Sequence, residues 1–272
     1  MRPQNINVRK LIGDKNPKLL KRLPRFVLKY LERILHQDEI NDFLERKGHL
    51  KNQAFCEALV EYLEIDVKFQ GMEKIPKEGP VIIVMNHPLG GVDGVAFIAA
   101  LKEHRTDLVF LVNDLLLNVT PCKDLFVGVN KHGKNESSVR MSISEMFHSD
   151  KAICIFPFGM VSRVQNGKVV DLEWKRTFVT YARTTGHPVI PIHIEGRLSP
   201  FFYRLFKFRT FFGIKMNLEM LYLADELYKQ RGKAISFTVG NPIYVSKLTN
   251  GQTEHEKAQE IKDILYQIPL QS

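Results

Sequence analysis

A chain of 272 residues, 44% apolar and 25% charged, is long enough for a sizeable core and too apolar to stay disordered. Its net charge of +9 is localised, because residues 1 to 35 hold ten basic residues against Asp14 and Glu32, so this arm carries +8 and the remainder is nearly neutral. Cys56, Cys122 and Cys154 are odd in number, widely spaced and match no CxxC pattern, so neither a disulfide framework nor a zinc cluster is indicated and a reducing compartment is expected.

Residues 17 to 35 place Leu20, Leu23, Val27, Tyr30, Leu31 and Ile34 at helical spacing, with Lys and Arg on the other face and Pro24 as a start or kink. Such a helix suits a membrane surface, and equally a face packed on its own domain. A second helical stretch runs over roughly 38 to 63. From DVKFQG onward, short apolar strands alternate with helices near 92–104, 137–149 and 173–185. The strands are VIIVMN, DLVFLVN, KAICIFPFG, HPVIPIHIEG and AISFTVGNPI, and a helix near 254–267 closes the chain. Alternation of this kind predicts an α/β fold, a mostly parallel sheet flanked by helices, carrying a basic amphipathic helical N-terminal extension. The expected division is 1–64 for the basic, membrane-associating helical region and 65–272 for the sheet domain.

Functional groups in open α/β sheets gather where strands end, and four strand ends stand out. After VIIVM come Asn86, His87, the pair Gly90 and Gly91, and Asp93. A histidine near neutral pH takes a proton from a hydroxyl, and a carboxylate on its other ring nitrogen fixes the tautomer. The glycines let residues six positions apart meet. Alternatively His87 caps a helix and Asp93 bonds local amides. Lys131 follows a second strand. The third strand ends in Phe158, Gly159, Ser162 and Arg163, where glycine permits close approach of a ligand and arginine offers a fork for a carboxylate or phosphate. Arg197 follows the fourth.

No GxSxG elbow or phosphate-cradling Lys-Ser/Thr is present, so the nucleophile is expected to arrive with the substrate. His187 and His193 bracket a strand with no third ligand, and no metal site is expected. Between 201 and 212 fall six of the eighteen Phe residues, interleaved with Arg204, Lys207 and Arg209. This mixture suits a lipid interface, single-stranded nucleic acid or a buried aromatic helix.

In order and spacing, NHPLGGVD (86–93), FVGVNKH (126–132), FPFGMVSR (156–163) and VIPIHIEG (189–196) resemble the four motifs of the lysophospholipid (1-acylglycerol-3-phosphate) acyltransferase family, over roughly residues 65 to 245. The resemblance implies that His87 is the general base for an acceptor hydroxyl, that Asp93 orients it, and that the hydroxyl attacks the thioester of acyl-CoA or acyl carrier protein. Substrate contacts are implied at Asn86, Gly90, Gly91, Lys131, Phe158, Gly159, Ser162, Arg163 and Arg197, with no bound cofactor.

Two departures matter. Five residues separate His87 from Asp93 where the family has four, and Phe158 with Met160 and Val161 replaces the family's Glu, Thr and Arg. Those positions are associated with glycerol phosphate. The variant resembles instead a branch that acylates lyso-aminolipids, N-(3-hydroxyacyl) derivatives of glycine or ornithine, whose carboxylate Lys131, Arg163 or Arg197 would meet.

The expected protein is an O-acyltransferase held peripherally on the cytoplasmic face of a membrane, with no signal peptide or spanning helix. Its expected partners are a lipid surface, a lysolipid acceptor and acyl carrier protein, with no nucleic acid. Acylation of lysophosphatidic acid is the alternative within the enzyme class, and a non-catalytic membrane- or nucleic-acid-binding module is the alternative outside it.

Overall fold

The computed structural model describes residues 5–113, 117, 119–128 and 136–268. Its elements in chain order are α1 (Val8–Lys15), α2 (Pro17–Arg22), α3 (Arg25–Ile34), α4 (Gln37–Lys47), α5 (Asn52–Tyr62), β1 (Asp66–Gln70), β2 (Val81–Met85), α6 (Gly91–Ala100), β3 (Leu108–Val112) and β4 (Phe126–Gly128). They continue with α7 (Glu136–Phe147), β5 (Ala152–Ile155), β6 (Arg163–Gln165), β7 (Lys168–Val170), α8 (Thr177–Thr185), β8 (Val189–Glu195), α9 (Pro200–Phe211), α10 (Leu223–Tyr228), β9 (Ala234–Val239) and α11 (Glu254–Gln267).

The chain forms two compact units. Residues up to 51 join 198–231 in one, and residues 52–197 join those from 232 onward in the other. α5 falls in the unit that holds the sheet, and the Phe-rich segment falls in the unit that holds the N-terminal helices. Both long predicted N-terminal helices are interrupted. Pro24 disfavours helix at Leu23, so α2 ends and α3 restarts with Pro24 as its N-cap. The 38–63 stretch breaks after Gly48 and resumes at Asn52, which has a φ of 52°.

The sheet unit carries seven strands in the order β1-β9-β8-β2-β5-β3-β4. Every neighbouring pair is parallel except β8 with β9, so the expected mostly parallel α/β sheet is what forms. Burial on both faces explains the unbroken apolar runs of β2 and β5, all of whose residues are buried. Alternate residues point to opposite faces. Ile82 and Val84 join Ile153 and Ile155 in a core with Phe147, Trp174, Phe178 and Ile261, under α7, α8 and α11. Against the other face, Phe97 of α6 packs near Phe69, Phe110 and Phe237 at centroid distances of 5.8 to 6.2 Å.

Parallel register brings the C-terminal ends of β8, β2 and β5 to one edge, since Met85 pairs with Ile192 and Val84 with Ile155. The opposite edge is stapled by buried Arg105, which donates to the carbonyls of Pro76 (2.8 Å) and Gly79 (2.5 Å) and to Asp107 (2.6 Å).

The helical unit ties distant segments together. Tyr30 and Tyr222 share a hydrogen bond of 2.7 Å between their hydroxyls, His36 stacks on Tyr228 at 4.1 Å, and Arg209 forks onto buried Glu219. No described helix is long and apolar enough to cross a membrane.

Candidate active site

β2 delivers His87 to the C-terminal edge, and Gly90 makes the turn that follows. At φ 74° and ψ −140° Gly90 occupies a conformation that side chains do not tolerate, and it is the N-cap of α6. The extra residue between His87 and Asp93 is absorbed here, where α6 starts only at Gly91. Asp93 in its first turn is fully buried, and its Oδ2 accepts from His87 Nδ1 at 2.9 Å and from the amide of Leu89 at 2.9 Å. The bond at Nδ1 leaves Nε2 as the ring nitrogen available for chemistry, and the His87 side chain retains 18% exposure. Burial pushes the Asp93 carboxyl up, with the hydrogen bond and charge of His87 and local amides acting downward.

The loop after β5 covers one ring face. Phe156 stacks on His87 at 4.1 Å, which fixes the imidazole plane against a wall that carries no charge. Gly159, exposed at φ 72°, lies beneath Lys175, whose Nζ is 2.8 Å from where a β-carbon on Gly159 would stand. The Lys175 amide donates to the Pro157 carbonyl at 3.1 Å, which docks this residue on the loop. Gly196, at the end of β8, has no room for a β-carbon because Leu89 occupies that space at 2.7 Å. Arg197 beyond it is exposed.

Several expected substrate contacts have a different placement. Asn86 is 2% exposed and acts as a surrogate peptide, with Nδ2 donating to the Ile194 carbonyl at 2.9 Å and Oδ1 accepting from its amide at 2.7 Å. It extends β2 pairing onto β8. Phe158 is a core residue. Ser162 is buried and donates to Asp171 Oδ1 at 2.5 Å. Arg163 is 1% exposed, with Nη1 donating to the Val161 carbonyl at 2.5 Å, so its guanidinium is not offered to solvent. Lys131 lies outside the described residues. His87, Gly91, Gly159 and Arg197 remain at least partly exposed on the strand ends that the sheet brings to one edge.

Phe156, Asp171 and Lys175 had not been expected at the site. Asp171 follows a hairpin in which β6 and β7 pair antiparallel around Asn166 (φ 49°) and Gly167 (φ 80°). The Asn-Gly pair in VQNGKVV was the available signal, since it favours the type I′ turn that returns a chain on itself. Among the described residues no group of three or more His, Cys, Asp or Glu is arranged to hold a metal ion. The arrangement is an oriented imidazole with a buried carboxylate behind it, suited to accepting a proton from a bound hydroxyl.

The chain is similar to known proteins over nearly its whole length. The chain is 42% identical over 264 residues to a protein named lyso-glycine lipid O-acyltransferase from Bacteroides thetaiotaomicron, covering 97% of both chains. It is also 42% identical to a protein of the same name from Phocaeicola vulgatus, over 97% of this chain and 95% of that one. The solved structure of a 1-acyl-sn-glycerophosphate acyltransferase from Thermotoga maritima overlays 96% of this chain and 93% of its own with a TM-score of 0.49 and 19% identity. A sequence model described as acyltransferase matches residues 10–269, and the chain belongs to that acyltransferase family.

Proposed function

We propose that this acyltransferase moves a fatty acyl group from a thioester to the hydroxyl of an N-(3-hydroxyacyl)glycine, a lyso-glycine lipid. The observation that carries the chemistry is the 2.9 Å bond between His87 Nδ1 and buried Asp93 at the sheet edge. His87 Nε2 accepts the proton as the acceptor oxygen attacks the thioester carbonyl. A C–O bond forms, the C–S bond breaks, and the departing thiolate takes the proton back from the imidazolium. Asp93 holds the tautomer and stabilises the imidazolium that forms.

The acceptor is supported by the two relatives named for a lyso-glycine lipid and by the hydrophobic Phe158 standing where glycerol-phosphate enzymes of the resembled family have glutamate. Arg197 and Lys175 provide exposed cations for its carboxylate, alongside Lys131 as a further cation by sequence position. Gly91 and Gly159, both exposed, give the backbone close access to the reacting groups, whereas buried Gly90 shapes the turn behind them. The donor is an acyl carrier protein or coenzyme A thioester. An acidic carrier protein suits a chain of net charge +9.

We place the enzyme peripherally on the cytoplasmic face of a membrane. The basic arm and the exposed Phe208, Phe211 and Phe212 support this reading.

The test is thiol release from both thioesters with vesicles and N-(3-hydroxyacyl)glycine, its ornithine analogue or lysophosphatidic acid. His87→Ala is expected to lose on the order of 10² to 10⁴ in rate with the glycine acceptor. Equal rates for His87→Ala and wild type would end the general-base reading, and faster turnover of lysophosphatidic acid would replace the acceptor.

A further inference from the structure

We propose that Asp171 is a positioning residue for His87, clamping the backbone of its loop and setting a second carboxylate beside it. The inference rests on His87 acting as the base.

The segment after β7 lies 84 residues from His87 in sequence, yet Asp171 Oδ1 accepts from the His87 amide at 3.3 Å. The same oxygen accepts from Ser162 Oγ at 2.5 Å, and the Ser162 amide donates to the His87 carbonyl at 2.8 Å. Both backbone polar groups of His87 are therefore taken by the Asp171–Ser162 pair. Asp171 Oδ2 accepts from Trp174 Nε1 at 2.9 Å, and the Asp171 amide donates to the Tyr266 hydroxyl of α11 at 2.7 Å. Ser162 and Trp174 are fully buried and Asp171 is 2% exposed, so solvent does not substitute for these bonds.

The pocket matches the ionised carboxylate. A backbone amide and an indole nitrogen can only donate, and one of them meets each oxygen. Burial raises the Asp171 carboxyl, while the bonds from Ser162 and Trp174 and the proximity of His87 oppose that rise. The titratable groups facing Asp171 are His87 and Tyr266, and His87 has Asp93 on its ring side. A carboxylate held at the backbone of His87 fixes where the ring begins, whereas Asp93 fixes how the ring turns. Misplacement of a reacting group by about 1 Å costs on the order of 10²-fold in rate, so a clamp on the loop has a measurable share in turnover.

A bare Asp171→Asn would set an amide N–H against the indole, so it is combined with Trp174→Phe, which removes that donor and keeps a ring. Turnover of an acyl thioester with N-(3-hydroxyacyl)glycine is measured over a range of thioester concentrations. The folded double variant is expected to lose about tenfold or more in kcat, with thioester KM within about threefold of wild type.

Unchanged kcat would reduce Asp171 to a structural residue and overturn the proposal. Ser162→Ala supplies the second arm should the double variant not fold. It removes one of the bonds that hold Asp171 to the loop, so kcat should fall by about threefold or more with thioester KM within about threefold of wild type. Full kcat in this variant would overturn the clamp. His87→Ala run in parallel separates the two failures, since wild-type turnover there would sink the general-base reading itself.

Discussion

Gly90 and Gly91 adjoin in the sequence and have opposite structural roles. Gly90 holds φ 74° and ψ −140° between the base and its carboxylate, whereas Gly91 begins α6 with an exposed, helical backbone. Gly90→Ala forces a β-carbon into a region that costs about 1–3 kcal/mol. It should lower the thermal midpoint and turnover together, because the His87–Asp93 geometry runs through this turn. Gly91→Ala should leave the midpoint unchanged or slightly higher, since alanine removes freedom from the unfolded chain. Equal effects of the two would mean that the turn is not what aligns the pair. Residue types announced His87 and Asp93, but not the roles of their neighbours. Asn86 and Arg163 are polar residues that carry a functional look in the sequence, yet both are turned inward onto backbone carbonyls. Which direction a polar side chain faces is a property of the packed loop.

β8 is the element where the parallel part of the sheet meets its antiparallel edge, and it carries His193 facing Tyr266 of α11 edge-on at 5.8 Å. Burial lowers His193 to about 4, so the folded chain keeps it neutral at pH values where the unfolded chain, near 6.5, is already protonated. Unfolding therefore takes up a proton between about 6.5 and about 4, and the native state loses stability as pH falls through that window. Above it the contribution is complete. His193→Phe keeps a ring against Tyr266 and removes the titration. Urea unfolding at pH 7 and pH 5 should show wild type losing about 2 kcal/mol more than the variant, and equal losses would place the acid sensitivity elsewhere. Most strands were legible because burial on both faces leaves continuous apolar runs. The β6–β7 hairpin was passed over because each of its strands has three residues, too few for any periodicity, and the Asn-Gly turn was its only local mark.

The whole molecule joins a sheet unit bearing the site to a helical unit assembled from residues up to 51 and 198–231. In the helical unit Phe208, Phe211 and Phe212 are 55%, 84% and 61% exposed and pack ring against ring at 4.6 and 5.1 Å. An exposed aromatic cluster on a cationic unit fits an anionic lipid surface. Phe211→Ser with Phe212→Ser should weaken binding to anionic vesicles by about tenfold or more, given about 1.5–3 kcal/mol for burying each ring. Turnover of detergent-dispersed acceptor should stay at the wild-type level. Unchanged vesicle binding would return these rings to solvent exposure without a role, and a loss of detergent-phase turnover would show that they serve the fold.

The sequence by itself determined the α/β class and the order of the motifs along the chain, and it brought His87 and Asp93 forward as one of two readings, because hydrophobic periodicity and short-range motifs are local properties of a chain. Tertiary structure alone decided that the Phe-rich segment joins the N-terminal helices. It also buried Asn86, Phe158, Ser162 and Arg163, and brought Asp171 onto the backbone of His87. Those outcomes depend on contacts between residues far apart in sequence. Such contacts follow from the register of the sheet and the space left between packed elements, and no window of neighbouring residues encodes them.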